Sequence, residues 1–252
     1  MANINQSQYT AVICAAGQGK RLGSLAADIP KTLLKVGEKT ILEYLLDNFS
    51  DCGLLDVIIV VGYKGDKIEQ KIGNKYKNCS ITYIYNKDYE ITDNFYSLYL
   101  AKEKISRGMI FFNADVIFNK SILNEIISDR YENSLAVVSV DSPGAVKNPV
   151  RIKTDERGRL GDIGHDIGEQ NRQMVFGIYK LSAEATAEYF KLAGDFFKNG
   201  HCKGGFWFPL KQMVSTTDFH LVHVDDTKWV SMNNPEEYEN AVNLVGSILG
   251  KL

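Results

Sequence analysis

Apolar residues are spaced in two different ways in the first half of the chain. Short, continuous apolar runs alternate with stretches in which apolar residues recur at the spacing of an amphipathic helix. The runs predict strands over residues 10–16, 55–61, 80–85 and 108–112, and the stretches between them predict helices over residues 41–52, 67–72 and 94–104. Strands that alternate with helices indicate βαβ units, so we expect an α/β protein with a mostly parallel sheet.

In the second half of the chain, the predicted strands follow one another closely. Strands are predicted over residues 134–140, 150–154, 160–163 and 174–181, and the turn-like segment DERG joins the middle pair. A helix is predicted over residues 183–193, with Gly194 as its stop. The last helix has a clear start at Asn234-Pro235, because a cap residue precedes proline and two acids.

Composition and charge indicate a globular protein with no strongly charged partner. The 252 residues are 44% hydrophobic, and 29 basic and 31 acidic residues leave a net charge of -2, which favours neither nucleic acid nor a membrane as a partner. The four cysteines are widely separated and lack zinc-ligand spacing, which predicts reduced thiols. The N-terminus is polar and no apolar window has transmembrane length, so we expect a cytoplasmic location.

The first predicted strand leads into the segment AAGQGKR, which joins small residues to cations. Gly17 and Gly19 permit positive φ angles, so successive backbone amides could converge on an anion. Lys20, Arg21 and the later Lys31 would add positive charge to such a site. These features predict a phosphate-binding loop.

The spacing excludes two common kinds of phosphate loop. A Walker loop requires G-x-x-x-x-G-K-[ST], whereas Gly19-Lys20 is followed by Arg21. A dinucleotide-binding loop requires G-x-G-x-x-G/A, but its sixth position is Leu22 and no ribose-binding acid ends the second strand.

The loop resembles the signature of the sugar-phosphate nucleotidyltransferase family, G-x-G-x-R-L followed by P-K. Its counterparts here are GQGKRL at residues 17–22 and Pro30-Lys31. The resemblance implies that Arg21 holds the triphosphate of a nucleotide and that Lys31 contacts the α-phosphate and the incoming phosphate. It also implies a set of nucleotide-binding residues in the loop, namely Ala15, Ala16, Gly17, Gly19 and Lys20. The alternative is a plain strand-to-loop turn with surface cations.

The same resemblance implies the organisation of the whole chain. We expect a Rossmann-like three-layer nucleotidyltransferase fold with a mostly parallel central sheet and a small β-rich acceptor-binding lobe. Residues 1–252 would form a single domain, with a nucleotide-binding half at 1–140, an acceptor-binding half at 141–230 and a C-terminal helix at 231–252.

Nucleotidyl transfer needs alignment and charge neutralisation, usually with Mg²⁺ held by oxygen ligands. Asp115 is the best candidate metal ligand, because it follows an apolar strand whose carboxyl end should face the bound substrate. The segment Asn113-Ala114-Asp115 also stands where the family has G-D or D-x-D. Asn233 is the candidate second ligand, in a segment resembling the family's W-x-D-[IV]-[DN]-x-P-E-[DE], with Ser231 in place of one usual acid. The alternatives are a turn acid for Asp115 and a turn-shaping residue for Asn233.

The choice of nucleotide depends on the segment NFYSL at residues 94–98. The chain lacks the Q-x-x-P-x-G-[TL] segment of enzymes that use UTP or dTTP, and NFYSL resembles the N-x-x-S-L stretch of bacterial phosphocholine cytidylyltransferases and of relatives that act on phosphonates. The resemblance implies that Asn94 and Ser97 line the base pocket and that CTP is the donor. The alternative is an amphipathic helix whose aromatic residues only pack.

The acceptor is less constrained by the sequence. Candidate acceptor-binding residues are Lys147, Arg151, His165, Trp207 and Lys211. A trimethylammonium acceptor would require an aromatic cage or a nearby carboxylate. The segment Phe206-Trp207-Phe208 could supply the rings, but residues 200–217 contain no acid and carry Lys203 and Lys211, which disfavours choline. The alternative for each candidate cation is a solvated surface position without a function. The alternative for His165 is a surface loop histidine.

We therefore expect a CTP- and Mg²⁺-dependent cytidylyltransferase that acts on a small phosphorylated or phosphonylated acceptor. Its product would be an activated precursor for cell-surface glycan or lipid decoration. A UTP- or dTTP-dependent sugar-1-phosphate nucleotidyltransferase and a non-catalytic nucleotide-binding regulator remain as alternatives, and a homodimer is left open.

Overall fold

The computed structural model describes residues 8–142, 145–146 and 148–250 of the chain. The strands in this part are β1 Tyr9–Ala15, β2 Lys35–Val36, β3 Lys39–Thr40, β4 Asp56–Val61, β5 Lys75–Tyr76, β6 Cys79–Tyr85, β7 Gly108–Asn113, β8 Val116–Phe118, β9 Ser134–Ser139, β10 Arg151–Thr154, β11 Leu160–Gly164, β12 Gln173–Leu181, β13 His220–His223 and β14 Trp229–Ser231. The α-helices are α1 Ile41–Cys52, α2 Gly65–Ile72, α3 Asn94–Leu100, α4 Lys120–Ser128, α5 Ala183–Lys198, α6 Phe208–Met213 and α7 Pro235–Ile248. None of the helices in these described stretches is long and apolar enough to cross a membrane.

The centre of the sheet consists of parallel strands. β1 lies between β4 and β7 and pairs with both in parallel, and β4 pairs in parallel with β6. Ile13 of β1 faces Ile59 on one side and Phe112 on the other. Because the strands are covered on both faces, β1 is buried along its whole length, as its continuous apolar run predicts. The expected α/β fold with a mostly parallel central sheet is confirmed.

The second half of the chain extends this same sheet with mainly antiparallel strands. β12 pairs antiparallel with β7, and both β9 and β10 pair with β12. β11 then joins β10, and β13 joins β9 in parallel. Within the described residues, ten strands belong to this one sheet, so the predicted acceptor-binding segment is joined directly to the parallel strands.

Helices cover both faces of the sheet and produce three layers. Successive side chains of a strand point to opposite faces, so neighbouring residues belong to different cores. Phe112 packs in one cluster with Phe49 of α1, whereas Phe111 packs in the other with Phe95 of α3 and Tyr189 of α5. The two cores hold the carboxyl ends of β1 and β7 side by side.

The structure corrects the predicted end of one helix. α5 continues through Gly194 to Lys198 and does not stop at the glycine. Gly194 is buried, and a Cβ at this position would lie 3.4 Å from the hydroxyl of Tyr99. An isolated glycine is tolerated inside a helix, and Gly194 is not a helix terminator.

Candidate active site

The loop after β1 bends sharply at one of its two glycines. Gly19 has a φ of 65° and precedes a 3₁₀ helix at Lys20–Ala26. Of the two glycines that permit a positive φ, Gly19 adopts one and Gly17 does not. A Cβ on Gly17 would meet nothing within 4 Å. Gly17 therefore leaves open space above the loop, where a ligand can approach the backbone closely.

Four side chains named from the sequence meet beside this loop. Lys31 Nζ donates to Asp115 Oδ2 at 2.8 Å and to Asn233 Oδ1 at 3.2 Å. Arg21 Nη2 also donates to Asn233 Oδ1, at 3.0 Å. The Lys31 and Asp115 side chains are 14% and 26% exposed, so their charges are partly shielded from water but still reachable.

The two oxygen-bearing residues come from the ends of strands far apart in the chain. Asp115 lies in the turn between β7 and β8, and its carbonyl accepts the amide of Met232 at 2.9 Å. Asn233 follows β14, which pairs with β8, and its backbone amide donates to Glu237 Oε2 at 2.7 Å. Asn234 caps α7, as predicted. The pairing of β14 with β8 thus brings Asn233 next to Asp115.

Two cavities border this cluster, and a third shares Gly17 and Asn94 with one of them and Phe206 with the other; we call the three together the cleft. The loop cavity is lined by Cys14, Ala15, Gly17, Gly19, Lys20, Arg21, Lys31, Thr32, Asn94, Ala114, Asp115 and Asn233. The α3 cavity is lined by Ala16, Gly17, Asn86, Tyr89, Thr92, Asp93, Asn94, Phe95, Ser97, Gly205 and Phe206. The β12 cavity is lined by Arg21, Asn113, Asp115, Val116, Val146, Asn148, Val150, Met174, Val175, Phe176, Phe206, Trp229, Ser231, Asn233, Asn234 and Glu237. Arg21, Asp115 and Asn233 border both the loop cavity and the β12 cavity.

The α3 cavity has a hydrogen-bonded polar wall. Asp93 accepts the amides of Phe95 and Tyr96 with one carboxylate oxygen, and those of Gly204 and Gly205 with the other. Asn86 Nδ2 donates to the hydroxyl of Ser97 at 3.0 Å, and that hydroxyl donates to the Asp93 carbonyl. Both residues predicted to line a base pocket, Asn94 and Ser97, lie on this cavity, Asn94 at an exposed position and Ser97 in a buried one.

The β12 cavity combines aromatic walls with polar groups. Trp229 and Phe176 contact each other with ring centroids 4.7 Å apart, and Phe206 separates this cavity from the α3 cavity. Among the described residues, the buried atoms without a hydrogen-bond partner include Asn113 Oδ1 and Trp229 Nε1. Glu237, which the sequence analysis did not single out, also faces this cavity.

The described candidate acceptor residues, Arg151, His165, Trp207 and Lys211, are not among the residues that line these three cavities. Lys147 is outside the described residues, although Val146 and Asn148 on either side of it line the β12 cavity. Arg151 donates to the Asn171 carbonyl at 2.9 Å. The rings of His165 and Trp207 are 5.9 Å apart, which places these two candidates together.

The charge of Lys211 is compensated by acids that the sequence analysis did not connect with it. Its Nζ lies 3.1 Å from Asp166 and 3.4 Å from Asp162. Residues 200–217 contain no acid, but β11 and the turn after it supply two in space. Lys211 is thus paired with two acids that lie outside residues 200–217.

Asp115 and Asn233 suit a metal that is shared with phosphates. Both oxygens contact the same ammonium group, so they lie close enough to share an ion. A carboxylate and an amide carbonyl are ligands that Mg²⁺ accepts when waters and phosphates complete its shell. In the described part of the chain, no group of three or more His, Cys, Asp or Glu could hold a metal by itself.

Comparisons with known proteins show the family to which the chain belongs. A family model described as the MobA-like NTP transferase domain matches residues 11–183. The choline-phosphate cytidylyltransferase of Streptococcus pneumoniae is 32% identical over 124 residues, which are 48% of this chain and 51% of that protein. The CMP-5'-(3-aminopropyl)phosphonate synthase of Streptomyces rubellomurinus is 28% identical over 166 residues, which are 62% of this chain and only 26% of that protein.

A third relative uses a different nucleotide. The UTP–glucose-1-phosphate uridylyltransferase of Haloferax volcanii is 30% identical over 177 residues, 68% of this chain and 71% of that protein. Among solved structures, the CTP:phosphocholine cytidylyltransferase from Streptococcus pneumoniae superposes with a TM-score of 0.78 at 20% identity, covering 94% of this chain and 99% of that one.

Proposed function

The chain belongs to the MobA-like NTP transferase domain family, and on this basis we propose that it is a CTP-dependent cytidylyltransferase. It would couple CMP to a small phosphorylated or phosphonylated acceptor and release pyrophosphate. The observation that carries the proposal is the meeting of Arg21, Lys31, Asp115 and Asn233 where the loop cavity joins the β12 cavity. Two anionic reactants can meet only where positive charge compensates both.

The cleft suits an in-line displacement at phosphorus. With the triphosphate in the loop cavity and the acceptor in the β12 cavity, an acceptor phosphoryl oxygen would attack the α-phosphorus. The new P–O bond forms as the bond to the bridging oxygen of the β-phosphate breaks, and pyrophosphate leaves with that electron pair. The attacking oxygen is already ionised, so the chain needs to supply alignment and positive charge and no strong base.

Arg21 and Lys31, which both donate to Asn233 Oδ1, would supply the positive charge. Lys31 would move from its present partners to the α-phosphate, and Arg21 would hold the triphosphate. Asp115 and Asn233 would hold Mg²⁺, which when bound would neutralise charge on the α-phosphate.

The proposal of CTP as donor depends on the α3 cavity. Asn94 and Ser97 line it in a segment that resembles cytidylyltransferases, and two of the three relatives described above are named for cytidylyl or CMP chemistry. The uridylyltransferase relative supports UTP as the alternative donor.

The nature of the acceptor is best supported by the β12 cavity. Its aromatic side chains and the carboxylate of Glu237 are compatible with a cationic acceptor, and Lys211 is neutralised by Asp162 and Asp166. The charge argument against choline is therefore weaker than the sequence alone suggests. Acceptor contacts by Lys147, Arg151, His165, Trp207 and Lys211 remain predictions.

A screen for pyrophosphate release tests both substrates together. The chain would be incubated with Mg²⁺, each of CTP, UTP, dTTP, ATP and GTP, and a panel of phosphocholine, aminoethylphosphonate, phosphorylated polyols, sugar 1-phosphates and acidic phosphometabolites. We expect turnover with CTP. Turnover with UTP but not CTP would contradict the donor, and no turnover with any pair would favour the non-catalytic regulator.

Replacing Asp115 tests the proposed site directly. We expect Asp115→Ala to lower Mg²⁺-dependent turnover by about a hundredfold or more, because a charge-stabilising contact in the transition state is lost. Asp195→Ala, which removes an exposed carboxylate of α5 outside the cleft lining, is the matched control and should keep wild-type rates. Circular dichroism should show that both variants are folded. A folded Asp115→Ala variant with unchanged turnover would contradict the assignment of Asp115 to the active site.

A further inference from the structure

Asp93 joins two parts of the cleft that lie far apart in the sequence. One of its carboxylate oxygens accepts the amides of Phe95 and Tyr96 at the start of α3, at 3.0 and 3.2 Å. The other oxygen accepts the amides of Gly204 and Gly205 at 2.9 and 3.2 Å. Hydrogen bonds to a carboxylate are stronger than those between neutral groups. The Asp93 side chain therefore fastens the loop of residues 199–207, which precedes α6, to the helix that lines the proposed base pocket.

The loop that Asp93 holds presents an aromatic ring to two cavities. Phe206 directly follows Gly205 and lines both the α3 cavity and the β12 cavity. Its ring centroid lies 5.0 Å from that of Phe111 and 5.3 Å from that of Tyr179. Its carbonyl accepts the hydroxyl of Tyr189 at 2.7 Å. The Phe206 ring is thus a wall shared by the proposed nucleotide and acceptor pockets.

The backbone before Phe206 explains why the loop needs an anchor outside itself. Two adjacent glycines precede the ring, and Gly205 has a φ of 76°. Glycine loses more conformational freedom on folding than any other residue, so a glycine pair is costly to hold in one conformation. The bonds from both glycine amides to Asp93 offset this cost where the loop meets the cleft.

From these contacts we infer that Asp93 is a positioning residue for the acceptor. By fixing Gly204 and Gly205, it holds the Phe206 ring as one wall of the β12 cavity, where the acceptor is proposed to bind. This inference rests on the proposed cytidylyl transfer. It gives Asp93 a task beyond capping α3, because the carboxylate that orders the start of the base pocket also orders a wall of the acceptor pocket.

Asp93→Ser separates these two tasks. Serine is about as good a helix cap as aspartate, but it has a single oxygen in place of two. With that oxygen engaged by the cap of α3, the amides of Gly204 and Gly205 lose their acceptor. Hydrogen exchange should therefore show lost protection at these two amides and retained protection at Phe95 and Tyr96.

Steady-state kinetics then measure the effect on each substrate. Each substrate would be varied at saturating levels of the other, with the best acceptor found in the screen. We expect Asp93→Ser to lower kcat/KM for the acceptor by about tenfold or more, as for lost hydrogen bonds to a charged group, and to raise the KM for CTP by less than about threefold. Asp195→Ser, the same change at an exposed position of α5, is the matched control and should keep wild-type constants.

A double-mutant cycle tests whether Asp93 acts through Phe206. Phe206→Ala should reproduce the acceptor defect, and adding Asp93→Ser to it should cause little further loss, because the ring that Asp93 positions is already gone. If Phe206→Ala does not fold, Phe206→Leu takes its place, since it keeps apolar bulk against the sheet and removes the flat ring.

The results that would overturn the inference are distinct. Unchanged kcat/KM for the acceptor, or unchanged protection of Gly204 and Gly205, in folded Asp93→Ser would do so. A rise in the KM for CTP as large as the acceptor defect would assign the carboxylate to the base pocket alone. Additive losses in the double variant would show that Asp93 does not act through Phe206. Absence of turnover by the wild-type chain with every nucleotide and acceptor would overturn the proposed function, and this inference with it.

Discussion

At the scale of single residues, the cleft contains side chains whose charges already have partners. Lys31 and Arg21 both donate to Asn233, and Lys31 also contacts Asp115. The sequence indicated each of these residues from a local motif. Their mutual contacts depend on β8 and β14 pairing across more than a hundred intervening residues, which local patterns do not encode.

A buried lysine outside the cleft offers a test of burial energetics. Lys180 on β12 is 0% exposed, and its Nζ donates to the Asp129 carbonyl at 2.9 Å. Burial lowers the pKa of Lys180 to about 8, against the opposing influence of Asp129 and Glu132. Below pH 8 the buried amine of Lys180 is therefore charged in the folded protein, which lowers the free energy of unfolding.

The sign of the pH dependence follows from this lowered pKa. Between about pH 8 and the ordinary lysine pKa of about 10.5, the amine of Lys180 is protonated in the unfolded chain and neutral in the folded one. The free energy of unfolding therefore rises with pH in this window, by about 3 kcal/mol in all. Denaturant unfolding of the wild type and of Lys180→Met would be followed across this range. We expect the free energy of unfolding of the wild type to rise relative to the variant, and parallel curves would contradict the lowered pKa.

At the scale of secondary-structure elements, helix α1 depends on a capping box. The Thr40 hydroxyl accepts the amide of Glu43, while the Glu43 carboxylate accepts the amide of Thr40. Thr40→Ala should lower the free energy of unfolding by about 1 kcal/mol, because the first-turn amide loses its acceptor. Thr40→Ser keeps the hydroxyl and should retain most of the stability. Chemical denaturation measures both, and equal losses would show that the methyl group matters more than the cap.

The four strands predicted in the first half lie within one residue of the observed ones, but the helix predicted over residues 94–104 is α-helical only to Leu100, and α4 was not predicted. Strands buried on both faces are continuous apolar runs, so β1, β4, β6 and β7 stand out in the sequence. The strands of two or three residues, such as β8 and β14, are too short to show a period and could be found only in the structure. The end of α5 was wrongly predicted because an isolated glycine is tolerated inside a helix and does not have to end it.

At the scale of the whole molecule, the two halves of the chain share one sheet. β12 covers the edge of β7, and Ile178 and Tyr179 contribute to the cores on opposite faces. The acceptor residues were the least predictable part of the site, because the strands after residue 133 do not lie in chain order. Asp162 and Asp166 neutralise Lys211 from a different part of the sequence, which composition along residues 200–217 could not reveal.

This shared sheet predicts that the nucleotide-binding half does not fold alone. A fragment ending at residue 142 would expose the hydrogen-bonding edge of β7 and lose apolar side chains from both cores. We expect the fragment to aggregate or to lack a cooperative thermal transition, whereas the full chain should unfold in one transition by circular dichroism and tryptophan fluorescence. A monomeric fragment with a sharp transition of its own would contradict this expectation.

The contacts of Lys31 have a consequence for the order in which ligands bind. Its ammonium group occupies the space between Asp115 and Asn233, the two oxygens proposed for the metal. A metal ion alone would have to expel this internal cation, but a triphosphate gives Lys31 a new anionic partner and frees both oxygens at once. Metal and nucleotide are then thermodynamically linked, each strengthening the binding of the other by the same factor. Lys31 would thus compete with free metal ions for Asp115 and Asn233 until the nucleotide binds.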